Sequence, residues 1–412
     1  MTVSQHGMDS ELALKTFDRD SPANARMRVD TGIATNSFYG LNGEAEHFIV
    51  VQVPQSLGFR EQVALLYARY ARARKSLGLA ADTAVFRRVF VSDVLNQAAL
   101  IRESGFAGDA ADGPVALSIV QQPPLPGAKV ALLAHHIESR GPFEKRRLSK
   151  HHLLVTKSGV RHLWSTGLCA GADNQPVSAA TQTRGVFRDL IGVLTHEGGR
   201  LSDNCVRTWI YLKDVDVFYQ AMVDTRRELF VEYGLNKDTH WIASTGIEGA
   251  CAHQCDLVAM DAYSVLDLAP AQMSYLKDLS RLCSTGDYSV TFERGTRVAY
   301  ADRCHHFISG TASIDRAGRV VHPGDVLGQL KHALGNVQAL LQAGSASFSD
   351  MMYLIVYLRD PTDFAAVQDF LAHRHPDLPA IVVQGAVCRP QWLVEVEGVA
   401  VTPNDQPALP AF

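Results

Sequence analysis

The apolar positions of the C-terminal third change period several times, and each change marks an element. "HHFISGTASID" (305–315) alternates as a strand does, turns at Arg316-Ala317-Gly318, and resumes in "RVVH" (319–322), which predicts a hairpin. Pro323-Gly324 breaks it. Val326, Leu330, Ala333, Leu334, Val337, Leu340 and Leu341 then recur at helical spacing from Asp325 until Gly344 can close the helix. "MMYLIVYL" (351–358) is an unbroken apolar run of buried-strand length. Asp360 and Pro361 open a second helix whose stripe is Phe364, Val367, Phe370 and Leu371. "AIVVQGAV" (380–387) and "WLVEVEGVAV" (392–401) read as two last strands. The order is ββαβαββ.

The same skeleton occurs twice more. Gln329, at the start of the first helix, precedes Asp360, at the end of the following strand, by 31 residues. Gln182 precedes Asp214 by 32, across "VFRDLIGVL" and "VRTWIYLKD", and Gln62 precedes Asp93 by 31, across "VALLYARYARA" and "VFRRVFVSD". The chain is therefore expected to be α+β, with three tandem ββαβαββ domains at 40–140, 150–275 and 295–402. An N-terminal segment (1–39) and a C-terminal tail (403–412) flank them. Two helices cover one face of each sheet, so the other face must be buried by packing three like sheets about a pseudo-threefold axis. That arrangement is an intramolecular pseudo-trimer, with clefts between adjacent domains as natural ligand sites.

Composition narrows the classes. The chain has 412 residues, 47% hydrophobic and 20% charged, as in ordinary globular domains. Lys+Arg 39 against Asp+Glu 43 leaves a net charge of −4 with no basic stripe, so no nucleic-acid partner is expected. No apolar run approaches the roughly 18 residues of a membrane span, and the first 30 residues lack the apolar core of a secretory signal, so a cytoplasmic protein without a membrane partner is expected. Seven cysteines in a chain of this length predict reduced thiols and no disulfide framework. Cys251, His253 and Cys255 lack a second ligand pair at zinc spacing, so no metal is expected. There is no G-x-G-x-x-G, Walker A or G-x-S-x-G element, and no cofactor is called for. His135-His136, His151-His152 and His305-His306 are read as structural, and "QQPPLPG" (121–127) as a loop.

Several residues carry chemistry. Strand alternation puts Leu393, Glu395, Glu397 and Val399 on one face. A glutamate in an apolar cleft has a raised pKa and can act as a general acid, and Glu395, flanked by Leu393, is preferred to Glu397. Both also fit a solvated edge-strand face. "CVRTWIYLKD" places Arg207, Trp209 and Tyr211 together on a strand expected to be central, where an arginine is costly unless paired. Arg294, in "DYSVTFERGTRV" (287–298) with Tyr288, suits a carboxylate clamp, although a linker-surface arginine looks the same. "DTRREL" (224–229) puts Arg226 and Arg227 on the second helix, where a solvated surface is the plain reading. "ASTGIEG" (243–249) offers backbone amides and the Thr245 hydroxyl to an oxyanion, or is a plain turn.

In "ISGTASID", "GDVLGQL", Asn336, "VYLRD" and "LVEVEGVA", the third domain resembles the Rid superfamily (YjgF-like imine and enamine deaminases), clearly over 295–402, more faintly over 150–275 and only in skeleton over 40–140. The resemblance implies the Rid/chorismate-mutase-like fold, a trimer of small α+β domains. Deaminating members carry an arginine directly after Pro-Ala, whereas here Pro379-Ala380 is followed by Ile381. The chain is also similar to the chorismatases, fused relatives that hydrolyse the enol-pyruvyl ether of chorismate, in "RTWIY", "ASTGIEG", "DYSVTFER", "HPGDVLGQ" and "CRPQWLVEVEG". This second resemblance implies a cofactor-independent hydrolase or lyase of secondary metabolism. It implies Glu395 as the acid, with Arg207, Tyr211, Arg226, Thr245, Gly246, Tyr288, Arg294 and Arg389 binding a small anionic substrate. A Rid-type imine deaminase and a non-catalytic binding protein are the alternatives. A monomeric pseudo-trimer or a low-order homo-oligomer is expected.

Overall fold

The computed structural model describes residues 24–30, 32–106, 108, 111–170, 177–250, 253–283 and 291–412. The first sheet contains β1 (Asn24–Asp30), β2 (Ile33–Tyr39), β3 (Ala45–Gln52), β4 (Ala84–Val91), β5 (Ala116–Gln121) and β6 (Val130–Glu138), with helices α1 (Phe59–Ser76) and α2 (Val94–Glu103). The second contains β7 (Phe143–Arg147), β8 (His152–Lys157), β9 (Val160–Cys169), β10 (Cys205–Leu212), β11 (Ala243–Glu248) and β12 (Val258–Val265). Its helices are α3 (Ala179–His196), the single turn α4 (Leu201–Asn204) and α5 (Val215–Glu232). The third contains β13 (Met273–Tyr275), β14 (Gly295–Ala299), β15 (Arg303–Ala312), β16 (Met351–Leu358), β17 (Ala380–Gln384) and β18 (Val394–Pro403), with α6 (Val326–Ala343) and α7 (Phe364–Arg374).

Numbered within its own repeat, each sheet has the strand order 1-2-3-6-4-5. The fourth and fifth strands pair in parallel in all three. β1 and β2 extend the first sheet into the N-terminal segment 1–39, which was expected to lie outside the repeats.

The repeated glutamines and aspartates have a shared structural task. Gln62, Gln182 and Gln329 are all fully buried. Each side chain latches the first helix of its repeat to the chain entering the last strand. Gln62 Oε1 accepts from Lys129 N (2.7 Å), Gln182 Oε1 from Leu257 N (2.7 Å), and Gln329 Oε1 from Leu393 N (2.8 Å). Asp93, Asp214 and Asp360 follow the fourth strand, and their carboxylates accept a backbone N–H of the helical turn that begins there. A buried amide that must fill both its donors and its acceptor tolerates few substitutes, which is why the 31- and 32-residue spacings survive as the rest of the sequence drifts.

One hairpin departs from expectation. Residues 319–322 form no strand, and only Val320 bridges back to Ile314. Asp315 Oδ1 accepts from both Ala317 N and Arg319 N, which turns the chain off the sheet, and β15 pairs instead with the earlier β14. The ββαβαββ order stands with its first strand moved upstream.

The sheets close in a ring. β5 packs on β9, β11 on β15, and β17 on β3. Their inner faces share one apolar core that includes Phe48, Phe90, Trp164, Trp209, Phe307 and Tyr353. Two further cores lie under α1 and α2 and under α3 and α5. No described helix is long and apolar enough to cross a membrane.

Candidate active site

A cleft of about 340 Å³ opens between the second and third sheets. α5 contributes Tyr219 and Arg226, β11 contributes Ser244, Thr245 and Gly246, and the approach to β14 contributes Phe292 and Arg294. β15 adds Gly310, and the segment running into β18 adds Cys388, Arg389, Trp392 and Glu395. Six residues proposed from sequence therefore meet here: Arg226, Thr245, Gly246, Arg294, Arg389 and Glu395.

Glu395 is 5% exposed, and its carboxyl makes no hydrogen bond among the described residues. Burial, the largest cause, and the neighbouring Glu397 raise its pKa to about 8 against the pull of Arg207 and Arg294. It is thus mainly protonated at neutral pH. Glu397, two residues on, has the opposite surroundings. It accepts from Arg207 Nη2 (2.6 Å), Trp209 Nε1 (2.9 Å), the Tyr357 hydroxyl (2.9 Å) and the Thr245 hydroxyl. All four partners donate, so the carboxylate is held in place by hydrogen bonds. The two glutamates share a strand face, and their hydrogen bonding divides their roles.

The arginines divide in the same way. Arg226 donates to Thr291 Oγ1 (2.9 Å), lies over the Phe230 ring, and has no carboxylate partner among the described residues. Burial lowers its pKa to about 10, so it stays cationic at neutral pH. Arg294, 7% exposed, donates to Cys283 Sγ, stacks on Phe292, and likewise has no described carboxylate partner. Two buried guanidinium groups with no counter-anion among the described residues, aimed into one cleft, make a site for an anion. Arg389 lies over the Trp392 ring at the same cleft. Arg227 instead points outward to Asp224, which decides between the two arginines of α5.

Arg207 and Tyr211 do not line the cleft. The alternation that groups them with Trp209 turns all three toward the interior, where the sheets meet. Arg207 pairs with Glu397, and the Tyr211 hydroxyl donates to Asp261 (3.0 Å). Arg88 reaches both acids, Asp261 at 3.2 Å and Glu397 at 3.7 Å, so two cations and two anions balance in the centre. The expected convergence of Arg207 with Arg294 on one ligand is therefore replaced by Arg226 with Arg294. Arg207 touches the lining of the cleft through Thr245, whose Oγ1 accepts from it (2.5 Å) and from Gly310 N (2.8 Å). Tyr288 lies outside the described residues.

Tyr219, Cys388 and Gly310 were not found from sequence. Gly310 is legible only in three dimensions, because a Cβ there would overlap the Glu395 carboxyl and press on Thr245. The Cys388 thiol is pushed up to about 12 by burial and by Glu395, which leaves it inert as a nucleophile.

Strand register shows why one cleft is special. Glu395 faces Tyr357 across the sheet, three residues before Asp360. The matching positions, facing Tyr211 and Phe90, are Ala259 and Ala131. Ile381 faces Ile355, and its counterparts are Thr245, facing Trp209, and Ser118, facing Arg88. No repeat carries an arginine at that position, and only the third carries the acid.

Residues 292–402 match the family model described as Endoribonuclease L-PSP. The chain is 31% identical over 96 residues to the 3-aminoacrylate deaminase RutC of Acinetobacter baylyi, which covers 23% of this chain and 76% of that protein. The chain belongs to the Rid superfamily. Its similarity to a chorismatase crystal structure extends further along the fold, with a TM-score of 0.60 at 18% identity over 77% of this chain and 93% of that one. A Rid fold repeated within one polypeptide accounts for that coverage, and at this identity the likeness is one of architecture.

Proposed function

We propose that the protein is a cofactor-independent, chorismatase-like hydrolase or lyase that cleaves the enol-pyruvyl ether of chorismate or of a related carboxylated small molecule. The observation that carries this reading is the pairing, in one cleft, of a protonated Glu395 with Arg226 and Arg294, the acid without a hydrogen bond and the arginines without a carboxylate partner among the described residues. Arg226, Arg294 and Arg389 bind the substrate carboxylates, and Glu395 delivers its proton to the terminal methylene. The resulting oxocarbenium ion is captured by water, whose surplus proton returns to Glu395, and the adduct collapses to pyruvate and the free alcohol. The arginines are fixed by stacking and burial before substrate arrives, so little reorganisation accompanies charge movement. Arg207 and Glu397 are positioning residues that hold Thr245 and the strand carrying the acid.

The similarity to a 3-aminoacrylate deaminase favours a second reading, hydrolysis of an enamine. The same acid and cations suit carbon protonation of an enamine carboxylate, but Ile381 stands where deaminating relatives carry their clamp. A purely structural Glu395 is disfavoured, because a structural buried carboxyl is expected to be hydrogen-bonded as Glu397 is. Incubation with chorismate and, separately, with 2- and 3-aminoacrylate distinguishes the readings. Pyruvate released from chorismate supports the first, and ammonia released from the enamines alone supports the second.

A further inference from the structure

The seam between the first and second sheets, where β5 packs on β9, lacks the acid, yet its positions correspond one by one to those of the acid cleft. Cys169 faces Ala259 across β9 and β12 as Ala312 faces Glu395 across β15 and β18. Gln182 Nε2 donates to Cys255 O (2.8 Å) as Gln329 Nε2 donates to Gln391 O (2.9 Å), so the loops before β12 and β18 align. His253 is then the counterpart of Arg389, and Asp256 that of Trp392. Three positions that line the acid cleft in the third repeat carry Cys169, His253 and Asp256 in the second.

These side chains converge, their candidate ligand atoms all lying within 4.8 Å of one another. Cys169 Sγ is 3.6 Å from His253 Nδ1, and that nitrogen is 3.1 Å from Asp256 Oδ2. A hydrogen-bonded relay would use both ring nitrogens, one toward the thiol and one toward the carboxylate. Here a single nitrogen faces both partners, and its one proton, or its one lone pair, cannot serve the two equally. Ligands bound tetrahedrally at about 2.0–2.3 Å from zinc stand roughly 3.3–3.6 Å apart, close to these two separations. Asp256 is only 2% exposed, and its Oδ1 has no hydrogen-bond partner. The loop is held in place by Gln182, which also accepts from Leu257 N and Val258 N, and by Lys213 Nζ on Gln254 O.

We infer that Cys169, His253 and Asp256 form a zinc(II) site with three protein ligands and an open fourth position, built beside Ala259, which stands where the third repeat carries the acid. Thiolate, imidazole and carboxylate together suit zinc better than calcium or magnesium, which prefer oxygen alone. Coordination displaces the thiol proton to solvent, and the metal ties the end of β9 to the loop entering β12. Spacing along the chain offered only Cys251, His253 and Cys255, from which no metal was expected and of which Cys251 lies outside the described residues, because Cys169 is 84 residues from His253 and joins it only through the sheet.

The test uses the full chain, stripped with chelator and then titrated with zinc chloride and, in parallel, with cobalt(II). One equivalent of zinc should survive gel filtration, and the cobalt form should show a thiolate-to-metal band in the near ultraviolet. Cys169→Ala places in the second repeat the residue already present at Ala312, so it should fold, and it should lose that band and bind zinc at least about 100-fold more weakly. Asp256→Asn should retain the band and bind at least about tenfold more weakly. Absence of the band from the parent protein, or an undiminished band in Cys169→Ala, would overturn the assignment.

Discussion

Replacing Glu395 by glutamine removes one proton and little else. The amide has nearly the same shape, and no described hydrogen bond to the carboxyl is broken. The structure sets the size of the effect. With a pKa of about 8, about 90% of Glu395 carries its proton at pH 7, whereas a glutamate at the ordinary 4.5 would be about 0.3% protonated. The cleft therefore supplies about 300 times more acid form than an exposed glutamate, on the order of 3 kcal/mol of barrier before the weaker acidity of the higher-pKa group is set against it. That factor falls within the 10²–10⁴ that a positioned general acid contributes. Glu395→Gln should accordingly lose about 10²–10⁴-fold in kcat/KM with chorismate, followed as pyruvate release coupled to lactate dehydrogenase, while calorimetry shows substrate binding within a few-fold of the parent. The pH profile has a definite sign. Activity needs the protonated form, so kcat/KM of the parent should stay level through neutrality and fall about tenfold per unit above about pH 8. A variant within tenfold of the parent, or a parent profile that already declines from pH 5, would show that the acid lies elsewhere.

Three further perturbations separate binding, support and geometry. Arg226→Ala and Arg294→Ala should each weaken substrate binding by about 2–4 kcal/mol, measured calorimetrically in Glu395→Gln to prevent turnover, whereas Arg227→Ala should change it little. Equal affinities for all three variants would remove the clamp. Glu397→Gln leaves Arg207 buried beside a neutral amide, so unfolding in urea should show a loss of about 3–5 kcal/mol, in contrast to Glu395→Gln. Gly310→Ala should leave the midpoint of unfolding nearly in place yet depress kcat by at least about tenfold, because its methyl group displaces the acid. Parent-like turnover in that variant would mean that Glu395 has room to move.

Local chemistry wrote the repeat into the sequence. A latch glutamine must satisfy both ends of a buried amide, and a capping aspartate must meet N–H groups at the start of a helical turn. Gln62, Gln182 and Gln329, with Asp93, Asp214 and Asp360, thus recur at fixed spacing and disclose three domains before any contact is known. Strand alternation likewise put Glu395 and Glu397 on one face, and motif resemblance pointed to Arg226, Arg294 and Arg389. Partnership across sheets was not legible there. Arg207 read as an arginine on a buried strand and Arg226 as one on a solvated helix surface, and only packing gave the first a glutamate and left the second facing a cleft. The pKa of Glu395 is set by desolvation between two sheets and by its distance from Glu397, Arg207 and Arg294, none of which its strand alone specifies. Gly310 matters for the volume it leaves empty, and Cys169 for a neighbour 84 residues away. Periodicity reports what each element does for itself. Charge balance and cavity shape arise between elements, so tertiary structure decided them.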